Sequence, residues 1–199
     1  MVKIGTHSGH FHADEALACF MLKQLAEYSD AEIVRSRDLK VLAECDIVVD
    51  VGATFDPEKK RFDHHQREFA ETMKTLGILD FNTKLSSAGL VYAYYGKAVI
   101  HAVTGLDKAS PKMDIVYEKV RKPTEAGVLL FFQMYEKFIE EYDGIDNGVN
   151  QYEGEPKYKI SSLVGARVGS LNPRWNDEDK SDERADSQFR KAMELGTLL

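Results

Sequence analysis

Residues 46–51 read Asp-Ile-Val-Val-Asp-Val, a short segment that is apolar throughout its middle. Continuous apolar runs of this length are typical of strands that are covered on both faces of a parallel sheet. Upstream, the pattern predicts a strand at residues 2–6, a helix at 14–27, a strand at 31–35 and a short helix at 38–44. The alternation of strand and helix predicts a doubly wound α/β layer.

Downstream of this layer the pattern becomes mainly helical. Residues 52–60 are predicted to form a loop or hairpin, and residues 61–65 a short extended segment. Further helices are expected at 86–101, from Ser110-Pro111, at 124–141, at 160–171 and at 182–199, with a loop rich in Asp, Asn and Gly at 143–154. We therefore expect an α/β fold: a mainly parallel, doubly wound sheet with helices on both faces, followed by a helix-rich C-terminal lobe.

The chain is expected to divide near residue 150. Residues 1–150 would form the domain that carries the chemistry. Residues 151–199 would form a helical segment, interpreted as the start of a truncated C-terminal domain because the sequence ends inside a helical pattern.

Composition narrows the class of protein. The chain has 199 residues, of which 43% are hydrophobic and 30% charged, as expected for a globular protein with a buried core. Its formal net charge of −7 argues against a general polyanion binder, which needs clustered Lys and Arg. No apolar run approaches the ~20 residues that span a bilayer. Cys19 and Cys45 are expected to be buried free thiols, and no targeting segment is recognised, so we expect an intracellular protein, cytoplasmic, nuclear or in an organelle.

The six histidines are distributed very unevenly. His7, His10 and His12 fall close together, and His64 and His65 are adjacent. His101 stands alone on a predicted helix, where an ordinary core or surface role is expected.

Acidic residues accompany both histidine groups. Asp14 follows the first group, Asp50 closes the strand at 46–51, and Asp63 precedes His64. Because ligands gather beyond the carboxyl ends of the strands in such a sheet, we expect these side chains to converge at one edge.

Mixed imidazole and carboxylate ligands suit divalent transition metals such as Mn²⁺, Fe²⁺, Co²⁺ or Zn²⁺. A pure carboxylate set would favour Mg²⁺ or Ca²⁺. Several histidines with two or more carboxylates are enough for a two-metal site, whose ions lie ~3.5–4 Å apart and clamp the attacking and leaving oxygens of a phosphoryl transfer.

Six ordered segments carry a resemblance to a known family. They are THSGHFHADEALA (6–18), VVDVG (48–52), RFDHHQREF (61–69), TKLSSAGLVY (83–92), YDGIDNG (142–148) and ARVGSLNPRW (166–175). The chain thereby resembles the melanocyte-proliferating-gene family of metal-dependent hydrolases, from Lys3 to its end. That family is in turn similar to the DHH phosphoesterase superfamily, named for its Asp-His-His signature.

The resemblance implies a ligand set. In the superfamily the first motif reads Asp-x-Asp, whereas this chain has His12-Ala13-Asp14, a departure that should shift metal preference away from Mg²⁺. Asp50 resembles the bridging ligand of the second motif. The implied metal ligands are His7, His12, Asp14, Asp50, Asp63, His64 and Asp146.

The third and fourth motifs add roles and leave one choice open. In the superfamily, the first His of the Asp-His-His motif reaches a metal and the second supports the site or contacts substrate, so for Asp63-His64-His65 the resemblance implies a catalytic role for His65. Asp50 is the other catalytic candidate. The acidic residue of the fourth motif is Asp146, with Asp143 as the alternative.

Candidate substrate contacts are His10, Arg67, Ser86, Ser87 and Arg167. Ser86 and Ser87 precede a helix, so they either cap it or present its free N–H groups to a phosphate. Arg67, Arg167 and also Arg61 are phosphate clamps or ordinary surface residues, and His10 points to solvent or to substrate. Trp175 is expected to contribute to packing.

The resemblance implies a metal-dependent phosphoesterase with two divalent ions, Mn²⁺ before Zn²⁺ or Co²⁺. The leading activity is 3′–5′ exonuclease action on RNA or short oligonucleotides. The alternatives are a small-molecule phosphatase or pyrophosphatase, and a metal-stabilised regulatory or interaction protein without significant catalysis. Family members are longer than this chain, and its oligomeric state is left open.

Overall fold

A five-stranded sheet forms the centre of the computed structural model, which describes residues 1–105, 129–158 and 160–198. The strands are β1 (Lys3–Thr6), β2 (Glu32–Arg35), β3 (Ile47–Val49), β4 (Phe55–Asp56) and β5 (Arg61–Phe62). Their spatial order is β2-β1-β3-β5-β4. The pairs β1–β2, β1–β3 and β3–β5 are parallel, whereas β4 forms an antiparallel hairpin with β5. The mainly parallel sheet is confirmed.

Seven α-helices surround or follow the sheet within the described ranges. They are α1 (Ala13–Lys23), α2 (Leu39–Ala43), α3 (Ser87–Thr104), α4 (Leu129–Met134), α5 (Glu140–Asp146), α6 (Val164–Gly169) and α7 (Asp182–Glu194). A π-helical turn, Tyr135–Ile139, joins α4 to α5, and a 3₁₀ turn, Leu195–Leu198, follows α7. The predicted helix starts at Ser110-Pro111 and at residue 124 lie outside the described residues.

The predicted loop at 143–154 is wrong at its start, because α5 continues to Asp146. Asp and Gly disfavour helix interiors, but tertiary packing overrides that preference here. Tyr142 on this helix is buried, and so is Asp143, whose carboxylate is held by groups on neighbouring helices.

Both faces of the sheet are covered. Along β3 the side chains alternate, so Ile47 and Val49 face the main core, to which α1 and α3 contribute. Val48 faces the other way and packs with Leu42 of α2 and with Cys45. The prediction of helices on both faces is therefore confirmed.

The C-terminal part of the chain contacts the loop that follows β1. Asn172 accepts a hydrogen bond from the Phe11 amide at 2.9 Å and donates one to the Phe11 carbonyl at 2.8 Å. Phe189 of α7 packs edge-on against the Phe11 ring, with centroids 5.5 Å apart. The Arg35 guanidinium lies 4.8 Å from the Phe189 ring and pairs with Asp186 at 2.9 Å. These contacts fix the backbone between His7 and α1.

The structure confirms the prediction for the two cysteines and contradicts the prediction for Trp175. Cys19 and Cys45 are buried free thiols, as predicted. Trp175 is 88% exposed, so the expectation that it packs is wrong. It lies in the irregular stretch between α6 and α7, and its carbonyl accepts a hydrogen bond from Lys180 while its ring faces solvent. Of the helices in the described ranges, none is long and apolar enough to cross a bilayer.

Candidate metal centre

The candidate metal centre lies at the carboxyl edge of the parallel strands. His7 directly follows β1, Asp50 directly follows β3, and Asp63 directly follows β5. Because these strands run in the same direction, the three chain segments leave the sheet at the same edge.

Asp50 sits at the middle of the centre. Its backbone has a φ of 58°, a left-handed conformation that Asp adopts more readily than most residues. Asp50 Oδ2 lies 3.4 Å from His7 Nε2, and Oδ1 lies 3.4 Å from His64 Nε2. Ser87 Oγ donates a hydrogen bond to Oδ1 at 3.3 Å. One oxygen therefore faces His7 and the other faces His64, an arrangement that suits a ligand shared between two ions.

Glu15 extends the centre on the His7 side, and the sequence predictions did not include it. Its Oε1 lies 3.0 Å from His7 Nε2, and its carboxylate also accepts from the backbone amide of His12, the N-cap of α1. His7 Nδ1 lies 3.2 Å from both the Ser8 carbonyl and Arg37 Nη2. The signal for Glu15 was its spacing three residues after His12, which is also that of an ordinary capping box.

Asp14 is the strongest sign that the centre is built for a cation. Its carboxylate is buried, and neither oxygen has a hydrogen-bond partner among the described residues. Burial raises the pKa of Asp14 well above its usual value, and the charges of Asp50 and Asp146 raise it further. An unpartnered buried carboxylate is unfavourable by several kcal/mol, roughly, unless a cation or proton compensates it. The residues present therefore fit a divalent ion.

The residues of the Asp63-His64-His65 segment make different contacts. Asp63 accepts hydrogen bonds from the amides of Ala53 at 2.6 Å and His65 at 3.1 Å, and lies 2.7 Å from His65 Nδ1. Both of its oxygens are thus engaged, and it orients His65. His64 instead turns Nε2 to within 3.0 Å of Asp146 Oδ2. The interpretation of Asp63 as a metal ligand stays a prediction.

Several combinations of these side chains bring ligand atoms within 4.8 Å of one another. The combinations are His7 with His12 and Glu15; Asp50 with His64 and His65; His12 with Asp14 and Asp146; and Asp14 with Glu15 and Asp50. His12 is exposed at the rim, whereas Asp14, Glu15 and Asp50 are buried. The structure therefore places candidate ligands for a divalent metal in one continuous cluster.

The excess of carboxylates favours the protonated form of the imidazoles. Burial by itself lowers the pKa of His7, but Asp50 and Glu15 outweigh it and raise that pKa to about 10. Burial likewise opposes charge on His64, yet Asp146 and Asp50 raise its pKa to about 10. Burial alone would raise the pKa of Asp50, but the two imidazoles hold it well below its usual range. The cluster thus attracts positive charge, which a metal ion would supply in exchange for protons.

The geometry separates the two candidates for the fourth motif. Asp143 is fully buried and accepts hydrogen bonds from the amide and hydroxyl of Ser86 and from the Tyr135 hydroxyl, each at 2.8 Å. Burial raises the pKa of Asp143 to about 7, despite those hydrogen bonds. Asp146, three residues later, faces His64. Asp146 therefore lies in the cluster of candidate ligands, whereas Asp143 ties α5 to the start of α3; the interpretation of Asp146 as a metal ligand stays a prediction.

Both serines at the start of α3 are engaged by neighbouring groups. Ser86 and Ser87 are fully buried, and Ser86 is the N-cap of the helix. The Asp143 carboxyl group accepts hydrogen bonds from the amide and the hydroxyl of Ser86 at this end of the helix. In the structure Ser86 contacts Asp143 and Ser87 contacts Asp50, and the direct contact of these serines with substrate stays a prediction.

The remaining predicted substrate contacts lie at the surface. Arg67 and Arg167 are exposed, whereas Arg61 donates to the backbone carbonyls of Lys59 and Cys45. A cleft of about 310 Å³ opens beside the metal centre. It is lined by His10, Phe11, His12, Ala13, Asp14, Glu141, Tyr142, Ile145, Asp146, Gly165 and Gly169. Arg37, which lies beside His7, was not predicted as a site residue, because no motif or spacing in the sequence pointed to it.

Comparison with known proteins adds the family. A family described as "Uncharacterised protein family (UPF0160)", under the name MYG1_exonuc, matches residues 3–197. The chain belongs to this MYG1 family. The resemblance drawn from the six sequence segments is thereby confirmed at the level of the family, and the link to the DHH superfamily stays a prediction.

Relatives from distant organisms are similar over nearly the whole chain. The MYG1 protein C27H6.8 of Caenorhabditis elegans is 48% identical over 96% of this chain and 52% of its own length. The MYG1 exonuclease of Homo sapiens is 47% identical over 97% of this chain and 47% of its own. The MYG1 protein YER156C of Saccharomyces cerevisiae is 40% identical over 97% and 53%, respectively. The chain thus spans about half the length of these relatives. No solved structure matches it.

Proposed function

We propose that this chain is a metal-dependent phosphodiesterase that acts as a 3′–5′ exonuclease on RNA or short oligonucleotides with two Mn²⁺ ions, which Zn²⁺ or Co²⁺ could replace. The observation that carries the proposal is Asp50, which presents one oxygen to each of two imidazoles beside the unpartnered carboxylate of Asp14. The name of the human relative, MYG1 exonuclease, supports a phosphodiester substrate.

The residues around Asp50 divide into two sides. His7 and Glu15 lie towards one oxygen of Asp50, and His64 lies towards the other with Asp146 beyond it. In this proposal Asp50 would be shared between the ions, and the buried Asp14 would complete the ligand set. Divalent ions, when bound, acidify water and neutralise the charge that develops on phosphate oxygens during hydrolysis.

His65 is the candidate for direct contact with the reacting phosphate. Asp63 holds its Nδ1, so Nε2 is the ring nitrogen that remains for a substrate. The hydrogen bond to Asp63 raises the pKa of His65, which favours the protonated ring. The side chain is 59% exposed and therefore accessible. A protonated imidazole in this position would stabilise the charge on a non-bridging phosphate oxygen.

Substrate would enter through the cleft beside the centre. His10 lines this cleft, and its ring lies 5.6 Å from that of His12. Arg67 and Arg167 are exposed cations that could contact further phosphates of an oligonucleotide. The net charge of −7 leaves few such contacts, so we expect weak, salt-sensitive binding of long RNA.

The size of the cleft favours a second candidate. Its volume of about 310 Å³ falls at the lower end of the range for small-molecule sites. A small phosphoester or pyrophosphate would fit such a cleft without needing contacts along a polymer. This candidate uses the same metal centre and differs only in what occupies the cleft.

A substrate panel with Mn²⁺ tests the proposal. The panel contains RNA, DNA, dinucleotides, pyrophosphate and an aryl phosphodiester, each assayed with the parent chain and with Asp50→Asn. Release of mononucleotides from the 3′ end, lost in Asp50→Asn, would support the exonuclease. Turnover of pyrophosphate alone would support the second candidate. Tight metal binding without turnover of any member would instead indicate a metal-stabilised interaction protein.

A further inference from the structure

Asn147 lies behind His64, on the side away from Asp50. It is the C-cap residue of α5 and directly follows Asp146. Its side-chain Oδ1 lies 3.3 Å from His64 Nδ1. The residue therefore contacts a predicted metal ligand without itself facing the cluster of carboxylates.

The orientation of the Asn147 amide follows from its other contacts. Its Nδ2 donates hydrogen bonds to the carbonyl oxygens of Lys84 and Asp143, both at 2.9 Å. Carbonyl oxygens only accept hydrogen bonds, so the –NH₂ group must face them and Oδ1 must face His64.

An amide oxygen beside His64 Nδ1 decides which ring nitrogen carries a proton. Because Oδ1 can only accept, Nδ1 must be the donor, and Nε2 is the nitrogen available to a metal. Nε2 is buried and lies 3.0 Å from Asp146 and 3.4 Å from Asp50. The ring is thus held with Nε2 aimed at the carboxylates, where a metal ion would take the place of the proton on that nitrogen.

We propose that Asn147 is a positioning residue that fixes the tautomer and orientation of His64, so that Nε2 binds a divalent ion. The inference rests on the proposed metal-dependent function. It assigns Asn147 the task that a carboxylate or backbone carbonyl often performs behind a metal-ligating histidine. The same amide also links His64 to the backbone of Lys84 and of Asp143. The segment of Lys84 carries Ser87, a partner of Asp50, and the segment of Asp143 carries Asp146.

The test separates the acceptor role from the structural role by comparing two variants. Asn147→Ala removes the acceptor and both donors, whereas Asn147→Asp keeps an acceptor facing His64 and loses the donors. Asn150→Asp, at an exposed position, controls for the added negative charge. Each protein, freed of metal, is titrated with Mn²⁺ alone while free Mn²⁺ is followed by electron paramagnetic resonance. Thermal unfolding in chelator records stability in parallel.

We expect Asn147→Ala to bind Mn²⁺ about 10–100-fold more weakly, the usual effect of removing a group that orients a ligand. Asn147→Asp should bind close to the parent affinity although it is less stable, and Asn150→Asp should match the parent. Equal weakening in Asn147→Ala and Asn147→Asp would overturn the positioning role. A parent that binds no Mn²⁺, Co²⁺ or Zn²⁺ would instead overturn the proposed function, and this inference with it.

A second measurement needs no variant. In the Zn²⁺-loaded parent, ¹⁵N nuclear magnetic resonance should show His64 protonated at Nδ1. Protonation at Nε2, with Nδ1 free of hydrogen, would overturn the inference even if every variant failed to fold.

Discussion

Asp143→Asn should remove a pH dependence of the free energy of unfolding. In the parent chain this dependence is caused by one buried carboxyl group. Burial raises the pKa of Asp143 from 3.8 to about 7 in the folded state. Between these values the folded chain keeps a proton that the unfolded chain releases. The parent's stability therefore falls as the pH rises from about 4 to about 7, and this contribution is constant above that range.

The size of the effect follows from the shift. A change of about 3 pKa units corresponds to about 4 kcal/mol of unfolding free energy, at 1.36 kcal/mol per unit. Asn has almost the shape of the protonated carboxyl group. Its oxygen can accept from Ser86, and its –NH₂ group can donate to the Tyr135 hydroxyl. The variant should consequently gain up to about 4 kcal/mol relative to the parent between pH 4 and pH 8.

Urea unfolding in chelator, at several values between pH 4 and pH 8, measures this difference. Chelator is needed because a bound cation nearby would itself lower the pKa of Asp143. Asp30→Asn, at an exposed position, is the matched control and should run parallel to the parent. If Asp143→Asn also runs parallel to the parent, the carboxyl group is not held neutral by burial and our account of the α3–α5 junction is wrong.

Three further predictions concern the metal centre and its support. Asp50→Asn should lose metal binding and hydrolysis together while much of the fold survives, because the change is nearly isosteric. The control variant His101→Ala should keep an activity close to that of the parent. Equal loss of activity in both variants would refute the ligand assignment. Gly89→Ala should destabilise the chain by about 1–3 kcal/mol in urea unfolding, because the added Cβ would clash with the Asp143 carboxyl group. Gly144→Ala, with nothing within 4 Å of its added Cβ, should be neutral or slightly stabilising, so equal losses would contradict the packing argument. Elemental analysis and assays with single ions should show a preference for Mn²⁺, Co²⁺ or Zn²⁺; full activity in Mg²⁺ with no bound transition metal would refute the imidazole-rich site.

The sequence by itself determined the sheet and the edge at which chemistry gathers. The apolar segment at 46–51 and the alternation before it predicted parallel strands, because local patterning reports which faces are buried. Since parallel strands end at a common edge, His7, Asp50 and His64 could be predicted to meet there, and the structure brings them together.

Contacts between residues that are far apart in the sequence decided the burial and direction of the other site residues. Asp143 and Asp146 lie three residues apart in a similar local sequence, and only contact with the start of α3 buries one and leaves the other facing His64. Glu15 has the spacing of an ordinary helix cap, so only the fold shows that its carboxylate also reaches His7. Trp175 is apolar, yet it projects into solvent. Local sequence sets which conformations and residue types are available, whereas burial and the direction of each side chain depend on neighbours that only the tertiary structure brings close.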